Sequence, residues 1–180
     1  MSLFSNTNMS HVFTYNSNKL FIGNIRSPTI NMRAVLSVIE TPISSNTNHF
    51  HKQIPATDEV EFKLNRYFDE GADFIHNHLK YGNVLVHCYA GISRSASLVV
   101  AYLIKYHNYT TLTAVRFLQK SRPIIEPNDG FIAQLKEYEN RGKTVRSYLT
   151  KESKQEKQDE IKPFHRPVKS FLSSRMKTLF

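Results

Sequence analysis

Nine residues, His87 to Ser95 (HCYAGISRS), constrain this chain more than any other stretch: its only cysteine stands six positions before an arginine, with Gly91 between them. The residues in front, Val84-Leu85-Val86, are short, apolar and mostly β-branched, the pattern of a buried strand. From Ser95 onward, SASLVVAYLIKY is too long for one strand and apolar on every side, which marks a largely buried helix of about three turns. A strand, a tight loop and a helix in that order demand an α/β arrangement with the loop at the carboxyl end of the strand, where such sheets bind ligands.

The loop has the chemistry of an oxyanion cradle. Its closure onto a helix N-terminus aims unpaired backbone N–H groups at one spot, and the helix dipole adds roughly half a positive charge there. A cysteine placed in such a cradle ionises more readily than a free one and is a nucleophile, so Cys88 is the candidate attacking group. Arg94 offers a planar fork that can hold two oxygens at once, which lysine cannot do. Gly91 lets the backbone approach closely. Ser95 can donate its hydroxyl to the sulfur, and His87 can brace the loop by hydrogen-bonding its backbone.

These residues resemble the Cys-x5-Arg-Ser signature of the protein tyrosine phosphatase superfamily, and AGISRSAS is similar to its dual-specificity members. The resemblance covers about residues 12–141. It implies a metal-independent protein phosphatase, a phosphoric monoester hydrolase acting on phosphotyrosine and phosphoserine/threonine through a phosphocysteine intermediate, with a three-layer α/β sandwich whose short, mostly parallel sheet is flanked by helices. Cys88 is then the nucleophile and Arg94 the phosphate clamp, while His87, Tyr89, Ala90, Gly91, Ile92, Ser93 and Ser95 form the substrate-binding loop. The family's general acid lies in a loop about this far upstream of the cysteine, which selects Asp58 in IPATDEVEF, 30 residues before Cys88. From the residues alone Asp58, with Glu61 three positions on, also has the form of a helix N-cap with a capping-box partner. Glu59 and Glu61 stand as substitute proton donors. The Arg122-Pro123 segment and Asn128, a candidate helix cap, resemble the family's supporting loop.

Departures from related families narrow the substrate. Asn65-Arg66-Tyr67 falls inside a helical pattern, so it does not match the pocket-deepening loop of the larger tyrosine-specific enzymes, and a shallow pocket follows. The signature loop carries no lysine, unlike the phosphoinositide-directed relatives, and reads Ser93-Arg94-Ser95 where RNA 5'-triphosphatases tend to have Asn-Arg-Thr. Those two activities, and a binding module that grips phosphoproteins without turnover, remain as alternatives.

No cofactor and no metal are expected. His49/His51 and His76/His78 are pairs two apart, a spacing that does not put both members of a helical pair on one face. With a single cysteine no intramolecular disulfide can form, and the N-terminus carries neither a signal segment nor an apolar run of bilayer length, which points to a reducing compartment, cytoplasm or nucleus.

Residues 1–11 are expected as a flexible start, 12–142 as the catalytic domain and 143–180 as a basic, disordered tail. Strands are expected near 19–25, 34–40, 49–54 and 84–88, and helices near 62–80, 94–107, 111–121 and 128–141. Leu64, Tyr67, Phe68, Ala72, Ile75 and Leu79 mark the buried stripe of the first helix, leaving Asp69 and Asp73 on a solvated face. Of the net charge of +9, the segment from Lys143 holds ten Lys/Arg against four Asp/Glu, or +6. Val168, Phe171, Leu172, Met176, Leu179 and Phe180 recur at helical spacing there, a pattern suited to nucleic acid, an anionic membrane or a partner protein.

Overall fold

The structure, a computed structural model, describes residues 8–43 and 48–160, with side chains described as far as Thr144. By contact density the chain divides after Thr144 into two units. The first holds the sheet and the helices around it.

The sheet is mixed and mostly parallel. Its strands are β1 (Met9–Tyr15), β2 (Asn18–Gly23), β3 (Ala34–Val38), β4 (Phe50–Ile54) and β5 (Val84–His87), in the order β1-β2-β5-β3-β4. Strands β2, β5, β3 and β4 are mutually parallel, and β1 is added antiparallel to β2. Both central strands, β3 and β5, are buried at every residue, the burial expected of parallel strands. β1 corrects the expectation of a loose start through residue 11. His11-Val-Phe-Thr-Tyr15 has the β-branched and aromatic content of a strand, and Asn16 turns it at φ 54°, a left-handed conformation that asparagine tolerates.

A 3-10 turn (Leu64–Tyr67) leads into α1 (Phe68–Leu79), followed by α2 (Arg94–His107), α3 (Thr111–Ser121) and α4 (Asp129–Glu160). Each boundary has a local cause. α2 stops at Asn108, whose left-handed backbone (φ 58°) returns its N–H to the Leu103 carbonyl. α3 starts with a reciprocal Thr110/Thr113 capping box. Asn128 opens α4 by accepting the Phe131 N–H on its side-chain oxygen at 2.9 Å. α4 continues past residue 141, where the apolar pattern ends, through Glu160, so residues 143–160 are helical where a disordered tail was expected. The stretch Lys151–Glu160 is almost wholly Lys, Glu and Gln, residues of strong intrinsic helix propensity. The 168–180 pattern lies outside the described residues.

The core lies between the sheet and α1, α2, α3 and the first turns of α4, and includes Leu20, Ile22, Leu36, Ile75, Leu98, Tyr102 and Phe131. Of the stripe read for the first helix, Leu64, Phe68, Ala72, Ile75 and Leu79 are 0–1 % exposed, while Tyr67 is only partly buried, packed against the edge of the core. Asp69 and Asp73 fall off that stripe but are not idle solvated acids. Lys105 of α2 reaches both, at 2.9 and 2.6 Å, and the hydroxyls of Tyr138 and Tyr106 donate to them, so they clasp α1 to α2 and α4.

Phe131 is 0 % exposed at the start of α4. Phe131→Ala should cost about 3–5 kcal/mol of stability, the usual effect of emptying a fully packed aromatic site, measured as a lower urea midpoint with unchanged slope. A loss below about 1 kcal/mol would mean that α4 does not depend on this contact.

Candidate active site

Because β2, β5, β3 and β4 run parallel, their carboxyl ends lie on one edge of the sheet. The segments leaving that edge carry Ile25, Cys88, Glu40 and Asp58 respectively.

Cys88 is the first residue past β5. Its N–H donates to the Gly23 carbonyl at 3.3 Å, and its side chain is drawn inward, leaving the residue 1 % exposed. Sγ accepts hydrogen bonds from the Gly91 N–H at 3.2 Å and from the Ser95 hydroxyl at 3.3 Å. Gly91 must be glycine here. Its φ is +71°, and a Cβ would stand 2.5 Å from the Gly23 carbonyl oxygen. Ser93 caps α2, and its carbonyl takes both the N–H and the hydroxyl of Ser97 at 2.9 Å, which tightens the first turn beneath the loop.

The loop is braced from outside by Arg122, 4 % exposed, whose Nε donates to the Gly91 carbonyl at 2.9 Å and whose Nη2 donates to that of Ala90 at 3.3 Å. With those carbonyls turned toward Arg122, the facing amides are left to point at the sulfur side. Glu126 N–H adds a bond to the Ile92 carbonyl at 3.1 Å, and Ile25 N–H one to Tyr89 at 3.2 Å.

Arg94, 8 % exposed, folds its side chain back across the mouth of the cradle. Its Nη1 donates to Glu40 Oε2 at 2.9 Å and to the Ala56 carbonyl at 3.0 Å. Nε is buried without a hydrogen-bond partner, and Asp58 Oδ2 stands 3.5 Å from it. Asp58 is not a helix cap. The chain turns at residues 60 and 61, and the first helical residues come only at Leu64. The carboxylate instead points at the loop. Oδ1 accepts from the Ser93 hydroxyl at 2.6 Å and from Asn128 Nδ2 at 3.0 Å, and the Asn128 N–H in turn donates to Ser93 Oγ at 3.2 Å. Glu59, the first substitute donor, accepts from Thr57 instead, and Glu61 makes no polar contact to the loop among the described residues.

A cleft of about 390 Å³ opens beside Arg94, lined by Ile25, Ile39, Glu40, Thr41, Pro42, Ile43 and Tyr89. It is mainly apolar, and Tyr89, 70 % exposed, stands at its rim. Glu40 and Arg94 are its only charged lining residues, paired at 2.9 Å, and Arg94 is also paired with Asp58.

His87 is buried at the end of β5, with Nε2 at 2.7 Å from Ser37 Oγ of β3, and the same hydroxyl is 2.9 Å from Nε2 of His51 on β4. Through Nε2 the residue ties the three strands that carry the site.

Residues 16–141 match the family model described as dual specificity phosphatase, catalytic domain. The chain belongs to the dual specificity phosphatase family. Dual specificity protein phosphatase 21 of Homo sapiens is 48 % identical over 88 residues, 48 % of this chain and 46 % of that protein. Dual specificity protein phosphatase 14 of Homo sapiens is 42 % identical over 106 residues, 58 % of this chain and 54 % of that one. The chain thus spans about half the length of the curated relatives it matches. A solved structure of DUSP15 superposes with a TM-score of 0.68 at 29 % identity, covering 79 % of this chain and 95 % of that one.

Sequence reading of this phosphatase domain missed Glu40 and the hydrogen bonds from Ser93 and Asn128 to Asp58. Glu40 lies 54 positions before Arg94, and Asn128 lies 70 after Asp58. No local pattern links such pairs; only the parallel sheet order brings them to one edge.

Burial is the main force holding His87 and His51 below the ordinary histidine value of 6.5. The unfolded chain therefore takes up these protons first as pH falls. Stability is full above about pH 6.5 and is lost as pH drops through it. The melting temperature should fall by a few degrees, on the order of 2–4 °C per kcal/mol, between pH 7.5 and 5.5, before carboxylates titrate. A profile flat over that range would show that the histidines are not held neutral.

Proposed function

We propose that this domain is a metal-independent phosphatase that hydrolyses phosphotyrosine and phosphoserine/threonine in proteins through a phosphocysteine intermediate. The observation that carries the reading is the position of the Cys88 sulfur, on the floor of a loop whose Gly91 N–H and Ser95 hydroxyl both point at it, with the Arg94 guanidinium and the Asp58 carboxylate paired beside it.

In the first step the Cys88 thiolate attacks phosphorus in line and the P–O ester bond breaks. Asp58, as the carboxylic acid, gives its proton to the departing oxygen. The loop amides and the free edge of Arg94 stabilise the charge spread over the equatorial oxygens. In the second step Asp58, now a carboxylate, accepts a proton from water as the water oxygen attacks phosphorus. The S–P bond breaks, phosphate leaves, and the Ser95 hydroxyl stabilises the departing thiolate. The contacts that Asp58 makes with Ser93 and Asn128 keep it within one side-chain rotation of the substrate.

The cleft supports a phosphoprotein over a phosphoinositide or a 5'-triphosphate. Its only cation is already ion-paired with Glu40, so a second phosphate would find no free partner beside the reacting one. The single thiolate cysteine suits a reducing compartment, cytoplasm or nucleus. No helix among the described residues is long and apolar enough to cross a membrane. The basic 143–180 segment is the part of the chain whose charge suits a nucleic acid, an anionic membrane or an acidic partner.

Turnover of p-nitrophenyl phosphate in the presence of a chelator tests the reading. Cys88→Ser should abolish it. Asp58→Asn should lower kcat by about 10²–10⁴, the usual weight of a general acid, and flatten the pH profile. Activity that survives Cys88→Ser, or vanishes with chelator, would refute it.

A further inference from the structure

We propose that Glu40, outside the signature loop, is a positioning residue for Arg94: it occupies the outer nitrogen so that the Nε–Nη2 edge is kept for the phosphoryl oxygens. The inference rests on the phosphatase reading of the site and adds the residue that orients its clamp.

A guanidinium has two edges through which it can grip an oxyanion with parallel N–H donors, and an arginine left to itself can turn either toward a ligand. In this structure the choice is already made. Nη1 is taken twice, by Glu40 Oε2 at 2.9 Å and by the Ala56 carbonyl at 3.0 Å. Nε is buried and makes no hydrogen bond, with the Asp58 carboxylate 3.5 Å away as its ion-pair partner. A buried cationic N–H that makes no hydrogen bond can donate one to an incoming phosphoryl oxygen.

The two acceptors on Nη1 come from different strands. Ala56, 0 % exposed, is two residues past β4, and Glu40 is two residues past β3, behind the buried Ile39. The guanidinium is thus fixed at the one edge of the sheet where both strands end. Glu40 is itself half exposed, its side chain at 59 % against 10 % for that of Arg94. An exposed ion pair contributes little to folding, so its effect falls on the orientation of the buried partner. Sharing Nη1 with a neutral carbonyl also matters, because losing Glu40 alone leaves that nitrogen a single hydrogen bond, to Ala56, with the longer Asp58 pair on Nε as the other hold.

The opposite role is physically available. A carboxylate so near the cradle could compete with the phosphoryl dianion for Arg94, and its removal would then tighten binding. Two near-isosteric substitutions separate the roles. Glu40→Gln keeps an oxygen that accepts from Nη1, whereas Glu40→Met fills the same space and accepts nothing. The measurements are kcat and KM with p-nitrophenyl phosphate, and competitive inhibition by inorganic phosphate, on the full chain, with thermal melts alongside.

Glu40→Gln should stay within about threefold of the starting protein in phosphate inhibition, and Glu40→Met should weaken it about tenfold, the effect of one charge-assisted bond. KM should rise in parallel while the acid limb of the pH profile stays in place, and both melts should remain near the original. Any other order overturns the proposal, including equal effects of the two variants, no effect of either, or tighter phosphate binding in Glu40→Met. If the unaltered protein does not turn over p-nitrophenyl phosphate at all, it is the phosphatase reading that fails, not the role of Glu40.

Discussion

The site depends on the inverted curvature of one loop, and that curvature depends on Arg122. Backbone N–H groups converge on the Cys88 sulfur only if the carbonyls of Ala90 and Gly91 turn the other way, and turned outward they would be buried without partners. Arg122 meets both with one guanidinium. Gly91 supplies the remaining condition, a positive φ at a point where the Gly23 backbone leaves no room for a side chain. The carbonyls of Tyr89 through Ser93 thus each have a donor, which supports an otherwise costly conformation.

The second organising fact is the direction of the strands. Four parallel strands deliver four loops to one edge, and each contributes one type of group: a rim from β2, the Glu40 carboxylate against arginine from β3, and from β4 and β5 the Asp58 carboxyl and Cys88 sulfur to which the proposed cycle gives the proton transfer and the attack. Arg94 and Asp58 are the junctions among them. Arg94 is bonded to the segments after β3 and β4, and Asp58 to the loop through Ser93 and to α4 through Asn128. Asn128 therefore acts twice, as the cap of α4 and as the tether of Asp58.

Much of this was legible beforehand wherever chemistry and local pattern coincide in a few consecutive residues. HCYAGISRS carries nucleophile, turn, clamp and helix start in one string, and the strands and helices around it follow from periodicity within two residues at most ends. The misses share a physical cause. β1 is the longest strand, but the polar residues before it masked its start. The tie from His87 to Ser37 spans 50 positions, on the adjacent strand. Asp69 and Asp73 looked like free surface because their cation, Lys105, sits on another helix. α4 runs on past its apolar stripe through a stretch rich in helix-favouring Lys, Glu and Gln. Contacts across elements are invisible to a linear pattern even when every element is read correctly.

The central claim is that this fold holds the Cys88 sulfur in a pocket built for a phosphoryl group. Alkylation of Cys88 by iodoacetamide, timed by mass spectrometry with and without orthovanadate, tests it most directly, since no other cysteine competes. The account predicts alkylation of Cys88 that vanadate abolishes. Alkylation untouched by vanadate would contradict it.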